Sequence, residues 1–129
     1  MERDEFEKIE PVVDEAIRLR DSGRLSEAAD KLREILAMSP ERRAPILGVL
    51  AHIYFTMKDF DRALECYEEA VELSAKSELG SLGLFHTLWN LGRTSDAFKE
   101  AGRFLALRDS EEYSQLIKEM REGLESADH

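Results

Sequence analysis

Cysteine is almost missing from this chain of 129 residues: Cys66 stands alone. A single thiol excludes an internal disulfide and fits a reducing compartment. Proline occurs three times, and β-branched residues are scattered among many Ala, Glu, Leu and Arg, which favours helix over strand. No apolar stretch approaches the roughly 20 residues that span a bilayer. The amino terminus, MERDEFEKIE, has neither the basic start nor the apolar run of a signal peptide, so the expected address is cytoplasmic. Also lacking are a Gly-rich phosphate loop, a nucleophile motif and a metal-spaced cluster. Ser81 near His86, and Asp96 near Lys99, read as chance neighbours on helices. The expectation is no catalysis, no cofactor and no bound metal.

Positive charge is scarce too. Eighteen Lys and Arg face 28 Asp and Glu, for a net charge of −10. Residues 1–10 hold five acids against two bases, and 109–129 hold seven against two, whereas 76–108 hold three acids against five bases. Acidity therefore gathers at the two ends. It repels phosphate backbones and argues against nucleic acid as a partner. Acidic ends maintain solubility, or steer a basic partner; both readings stay open.

What is present is repetition. HIYFTMKDFDRAL from His52 and HTLWNLGRTSDAF from His86 share a histidine, an aromatic three residues on and an alanine eleven residues on. Aligning on alanine adds a third copy: Ala28, Ala63 and Ala97 lie 35 and 34 residues apart. A turn signal precedes each alanine, and apolar residues recur at three and four on both sides of it, the helical period. The pattern predicts three helix-turn-helix units: 11–21 with 26–38, 44–57 with 60–74, and 78–91 with 95–107. Ser26, Asp61 and Ser95 are the expected N-caps of the second helices. Gly23 and Gly92 sit where the first helices need a left-handed residue, and Pro40 is expected to stop the first unit.

These residues resemble the tetratricopeptide repeats, a 34-residue pattern with an aromatic, Leu-Gly and Tyr on its first helix and Ala-x3-Phe and Pro on its second. The second unit carries Leu47, Leu50-Ala51, Tyr54, Ala63 and Tyr67, with Ala75 in the place of proline. The first carries Val12, Ala16, Leu19, Ala28, Leu32 and Pro40, with Glu15 at a leucine site. The third carries Leu84, Phe85, Leu88 and Ala97, with Ala101 where a large aromatic belongs. The resemblance implies an all-α, right-handed α-solenoid with repeats at 11–40, 43–75 and 77–108. Small residues would let paired helices close up. Phe85, large at a small site, would compensate for Ala101, small at a large one. Residues 109–124 form an amphipathic helix with Tyr113, Leu116, Ile117, Met120 and Leu124 on one face, expected to cap the stack or to fold over its groove. Residues 125–129 are expected to be a disordered tail. Residues 1–10 form an acidic extension whose short helix would cover the first repeat with Phe6 and Ile9 and be separated by Pro11.

In the tetratricopeptide family the first helices line a concave binding surface. Carried onto this sequence, the surface has three columns: Val13, Gly48 and Leu82; Ile17, His52 and His86; Arg20, Phe55 and Trp89. Within each helix these fall at i, i+4 and i+7, one helical face. Gly48 and Gly83 make room either for a ligand or for a neighbouring helix. Phe55 and Trp89 serve either as core or as anchors for a bound side chain. The histidines are satisfied imidazoles, donors or acceptors to a ligand backbone, or, short of ligands, a metal pair. The lysine and asparagine clamp with which one subset of the family holds an acidic chaperone tail has no counterpart among Val13, Ile17, Gly48, His52 and His86, so such a tail is not the expected ligand.

The implied function is a non-catalytic protein-protein interaction module, binding a peptide, loop or helix of a partner protein in this apolar groove. Adaptor, secretion-chaperone-like and immunity-like roles all fit. The competing reading is a structural protein that self-associates into a homodimer through its terminal faces, using Phe6, Ile9, Tyr113 and Met120. Neither a nucleic acid nor a membrane is expected as partner.

Overall fold

A computed structural model describes residues 2–127, with side chains from Glu7 to Ser126. Phe6, expected to help cover the first repeat, lies outside the described side chains. Among the described residues there are seven helices and no strand: α1 (Glu2–Asp21), α2 (Leu25–Ile35), α3 (Pro40–Thr56), α4 (Phe60–Leu73), α5 (Glu78–Asn90), α6 (Thr94–Leu107) and α7 (Glu111–Ala127). Each packs on the next in sequence, and α3 also touches α5, as stacked hairpins require. None of these helices is long and apolar enough to cross a membrane.

Small residues set the hairpin spacing. Ala16, Ala28, Ala51, Ala63 and Ala97 are all wholly buried, at 0% exposure, so the methyl is the largest group these positions hold without displacing a neighbour. Around them Leu32, Leu47, Leu50, Ile53, Phe85 and Phe104 build the core. Phe85 and Ala101 share that core, and the Phe85 ring meets Phe98, Trp89 and Tyr113 at centroid distances of 5.8, 6.0 and 6.3 Å.

The three turns inside the hairpins are built alike. Gly23, Lys58 and Gly92 have φ of 84°, 63° and 77°, and their amides bond the carbonyls of Arg20, Phe55 and Trp89. The next amides, of Arg24, Asp59 and Arg93, reach back to Leu19, Tyr54 and Leu88. These paired bonds close the last turn of each first helix. The second helices consequently begin earlier than the sequence suggests. Ser26, Asp61 and Ser95 lie inside them, and the capping positions belong to Arg24, Asp59 and Arg93. Of the three only Asp59 caps with its side chain, accepting from the Arg62 amide. Arg24 and Arg93 instead pair with Glu27 and Asp96 three residues on.

The prolines also behave differently from expectation. Pro11 does not separate a short helix from the first repeat; α1 runs through it. The bond lost to the Glu7 carbonyl is outweighed by anchors beside it, since Ile9 is fully buried and Glu10 pairs with Arg42 of α3. Pro40 does not end the first unit but opens α3 at its first position, where no amide is needed.

At the far end α7 is a cap, running through Ala127 where a disordered tail was expected. Ser110 accepts from the Tyr113 amide and starts it. Tyr113, 1% exposed, reaches into α5: its hydroxyl lies 2.9 Å from Ser81 Oγ and donates to the Ser81 carbonyl. Ser81 Oγ donates to Glu100 Oε2 at 2.6 Å, and Arg103 clasps both Glu100 oxygens while donating to the Ala75 carbonyl. The buried carboxylate is thus fully partnered, which is what makes its burial tolerable. Of the four residues expected at a dimer interface, Ile9 and Tyr113 are buried in the protein's own core, and Met120 is partly covered.

One turn departs from the glycine pattern, and it gives a test. Lys58 holds a left-handed conformation that L residues resist by about 1–2 kcal/mol. Lys58→Gly should raise the unfolding free energy by about 1 kcal/mol in urea denaturation, whereas Gly23→Ala and Gly92→Ala should lower it by a similar amount.

Candidate functional site

The nine residues expected to line the groove all lie on α1, α3 and α5. Val13, Ile17, Arg20, Gly48, Phe55, Leu82, His86 and Trp89 are each partly covered, and His52 is exposed. The structure gathers three of the nine, Arg20 of α1 and Gly48 and His52 of α3, around one hollow of about 510 Å³. The hollow lies between α3 and the start of α5, and Tyr67 and Ala70 of α4 line it from below. Pro45, Val49 and Leu79 complete its apolar wall.

The other six predicted residues do not line this hollow. Phe55 turns its edge to Phe60 at 5.3 Å. Trp89 stacks on Phe85 and meets Phe98 edge-on at 5.9 Å, so most of its ring is spent within the third repeat. His86 lies edge-to-face with Phe85 at 5.5 Å, and burial lowers its pKa from the ordinary 6.5, keeping it neutral. Val13, Ile17 and Leu82 pack against the core cluster or flank it.

The two glycines have opposite roles. A Cβ built on Gly83 would collide with the Tyr67 ring, lying only 2.8 Å from its Cδ1 and nearer still to Cε1 and Cζ. Gly83 therefore admits a neighbouring helix's aromatic ring. A Cβ on Gly48 would meet nothing within 4 Å. Gly48 leaves open space in the wall of the hollow, although a helical glycine costs about 1 kcal/mol against alanine.

Sequence reasoning missed most of the lining, including Tyr67, Ala70, Pro45, Val49 and Leu79. Pro45 and Leu79 were within reach: they stand 34 residues apart, one helical turn before the column of Gly48 and Leu82, and extend it. Tyr67 matched the family's core aromatic, and nothing in its spacing signals that its far edge reaches open space. On the other face of α3, a cavity of about 260 Å³ is bounded by Arg33, Tyr54, Arg62, Cys66 and Glu69. Burial pushes the Cys66 thiol up to about 11, which disfavours the thiolate. Among the described residues no group of three or more His, Cys, Asp or Glu could hold a metal.

The comparisons bear on the fold. A tetratricopeptide repeat model matches residues 44–76. The first tetratricopeptide domain of Spaghetti (RPAP3), bound to the HSP90 peptide SRMEEVD, superposes with a TM-score of 0.73 at 18% identity, covering 88% of this chain and 92% of that one. A structure of Pseudomonas aeruginosa PilF superposes with a TM-score of 0.65 at 17% identity, covering 85% of this chain and 54% of that one. This chain thus spans about half the length of that second protein. No curated protein matches the sequence. The chain carries a tetratricopeptide repeat at 44–76, and its helical solenoid is the fold of tetratricopeptide-repeat proteins. Such repeats commonly mediate protein–protein interactions, and the fold is typically a non-catalytic module.

The glycine asymmetry can be measured directly. Gly83→Ala should destabilise the protein by about 1–3 kcal/mol through overpacking against Tyr67, while Gly48→Ala should stabilise it by about 1 kcal/mol in the same urea titration.

His86 supplies a pH test. Because its folded pKa is lowered, the unfolded chain binds the proton more readily. Its contribution is complete above pH 6.5 and is lost as pH falls through the lowered folded value. The stability difference between wild type and His86→Gln should therefore be flat above pH 7 and shift against the wild type below about pH 6.

Proposed function

We propose that this protein is a non-catalytic binding module that accepts a peptide, loop or helix of a partner protein along the face formed by α1, α3 and α5. The observation that carries the reading is the hollow at Gly48, which draws Arg20, His52 and Tyr67 from three helices into one apolar recess. A recess mainly apolar, with a few polar groups at its edge, is the usual form of a site that holds a side chain by burial and orients it by hydrogen bonds. Val13, Ile17, Leu82, His86, Phe55 and Trp89 extend the same face on either side and would contact the flanking residues of the bound segment.

Ligand identity does not follow from the structural likeness. The Spaghetti domain holds an acidic HSP90 peptide. Here the corresponding columns carry Val13, Ile17, Gly48, His52 and His86, without lysine or asparagine, so we place this chain outside the acidic-tail binders. An adaptor or chaperone-like role, with the partner's segment sequestered on this face, is the biological form the reading takes.

The test is capture of a partner from the native host by wild type and by variants. His52→Glu and Gly48→Leu should each lower the amount of any specifically captured protein at least fivefold, with thermal midpoints unchanged within a few degrees. Arg33→Gln, on α2 at the separate cavity that Tyr54 and Cys66 also line, should capture as wild type does. Equal capture by all four proteins would remove this face from consideration.

A further inference from the structure

Tyr67 is 6% exposed, and its phenol meets no hydrogen-bond partner among the described residues. No fully enclosed side-chain nitrogen or oxygen among those residues is unpartnered, so this hydroxyl must open onto the cavity its ring lines, the hollow at Gly48. The ring has no freedom to turn elsewhere, because Gly83 lies against its flank. A hydroxyl with no acceptor in the chain and an opening onto the hollow is free to donate to a ligand acceptor in place of water.

The rest of the wall narrows the chemistry of that ligand. Acids make up 28 of the 129 residues, yet none lines the hollow. The two ionisable groups besides Tyr67 are Arg20 and His52, and the Arg20 guanidinium already bonds Asp21 through its Nε at 3.1 Å. The rest of the wall is mainly apolar, with Pro45, Val49, Ala70 and Leu79 (84% exposed at the rim), and Ser74 and Ser77 add two neutral hydroxyls. Gly48 keeps the centre open, and no contact within the chain calls for a glycine there.

We propose that this hollow is an anchor pocket for one uncharged apolar side chain, of leucine to phenylalanine size, on the partner's segment, with the Tyr67 hydroxyl donating to a main-chain carbonyl beside it. The inference rests on the binding-module reading and specifies the residue type that reading left open. Burial holds the Tyr67 phenol up at about 12, so it stays a donor across the physiological range.

The test uses two probes with the full chain, N-acetyl-leucine-N-methylamide and N-acetyl-glutamate-N-methylamide, titrated against labelled protein by amide NMR. The leucine probe should shift the Gly48, Ala70 and Gly80 amides and bind at least tenfold tighter than the glutamate probe. Tyr67→Phe keeps the ring on Gly83 and should weaken the leucine probe about fivefold, the weight of one neutral hydrogen bond. Gly48→Leu fills the space and should abolish the shifts, which keeps the test decisive if Tyr67→Phe unfolds. Equal binding of both probes, or shifts that survive Gly48→Leu, would overturn the pocket. Shifts confined to Leu82, His86 and Trp89 would overturn it as well while leaving the binding face in place. A chain that moves for neither probe yet loses partner capture in His52→Glu would do the same.

Discussion

The seam between the second and third hairpins depends on one contact, the Tyr67 ring lying against the bare backbone of Gly83. The seam before it offers a comparison in the same register. Leu32 stands 35 residues before Tyr67, and Val49 stands 34 before Gly83. One seam is thus furnished with two medium side chains and the other with one large ring and none. A Leu-and-Val seam ends in methyl groups, whereas the Tyr-and-Gly seam carries a rigid ring whose hydroxyl projects beyond the contact. Because cores are close-packed, the ring cannot retract without opening a void. The projecting phenol is therefore a consequence of how α4 and α5 meet, and it fixes where the hollow is polar.

This contact also explains why the architecture could be read from the sequence while the site could be read only in part. Hairpin pairing follows from apolar period and from alanines at a 34- to 35-residue spacing, signals that survive in any one copy. The left-handed turn residues were legible at Gly23 and Gly92 because glycine advertises positive φ. They were illegible at Lys58, which takes the same conformation through the backbone bonds of its neighbours. The N-caps were misplaced by two residues because Ser and Asp within the first turn look like caps, while the residues that occupy the position, Arg24 and Arg93, lack an acceptor oxygen. Proline misled twice for one reason: its local cost at Pro11 and Pro40 was visible, but not the anchoring of Ile9 nor the start of a new helix. Columns at i, i+4 and i+7 placed nine residues on one side of the first helices, yet periodicity gives direction and not depth. Whether Gly48 or Gly83 was the open position depended on what stands opposite, and only Gly83 faces a ring.

The two ends of the solenoid are finished by different means. At the amino end a helix simply continues, and Ile9 and the Glu10–Arg42 pair hold it down. At the carboxyl end a polar network does the work, with Tyr113 threading between Ser81 and Phe104 toward the buried Glu100. A ring-to-ring centroid distance of 5.4 Å to Phe104 supplies the apolar half of the same attachment. The network ties α7 to α5 and α6 and, through Arg103, to the carbonyl of Ala75 in the turn between α4 and α5. Arg108 adds a second bond to that turn, at the Lys76 carbonyl.

That attachment bears on the hollow, because Ser74 and Ser77 of the same turn form part of its rim. Ser77 also caps α5 by accepting from the Gly80 amide, so the rim and the helix start are set together. The network that holds α7 thus shares Arg103 with the turn that forms the edge of the recess. Preorganised edges reduce the ordering cost of binding, since fewer side chains and turns must be immobilised when a ligand arrives. In a small solenoid, where each hairpin contacts only its neighbours, such a polar brace across the last seam is an economical route to a rigid site. The open centre at Gly48, the ring of Tyr67 held on Gly83 and the braced turn at Ser77 are then three parts of one arrangement where the second hairpin meets the third: space, direction and a tied edge.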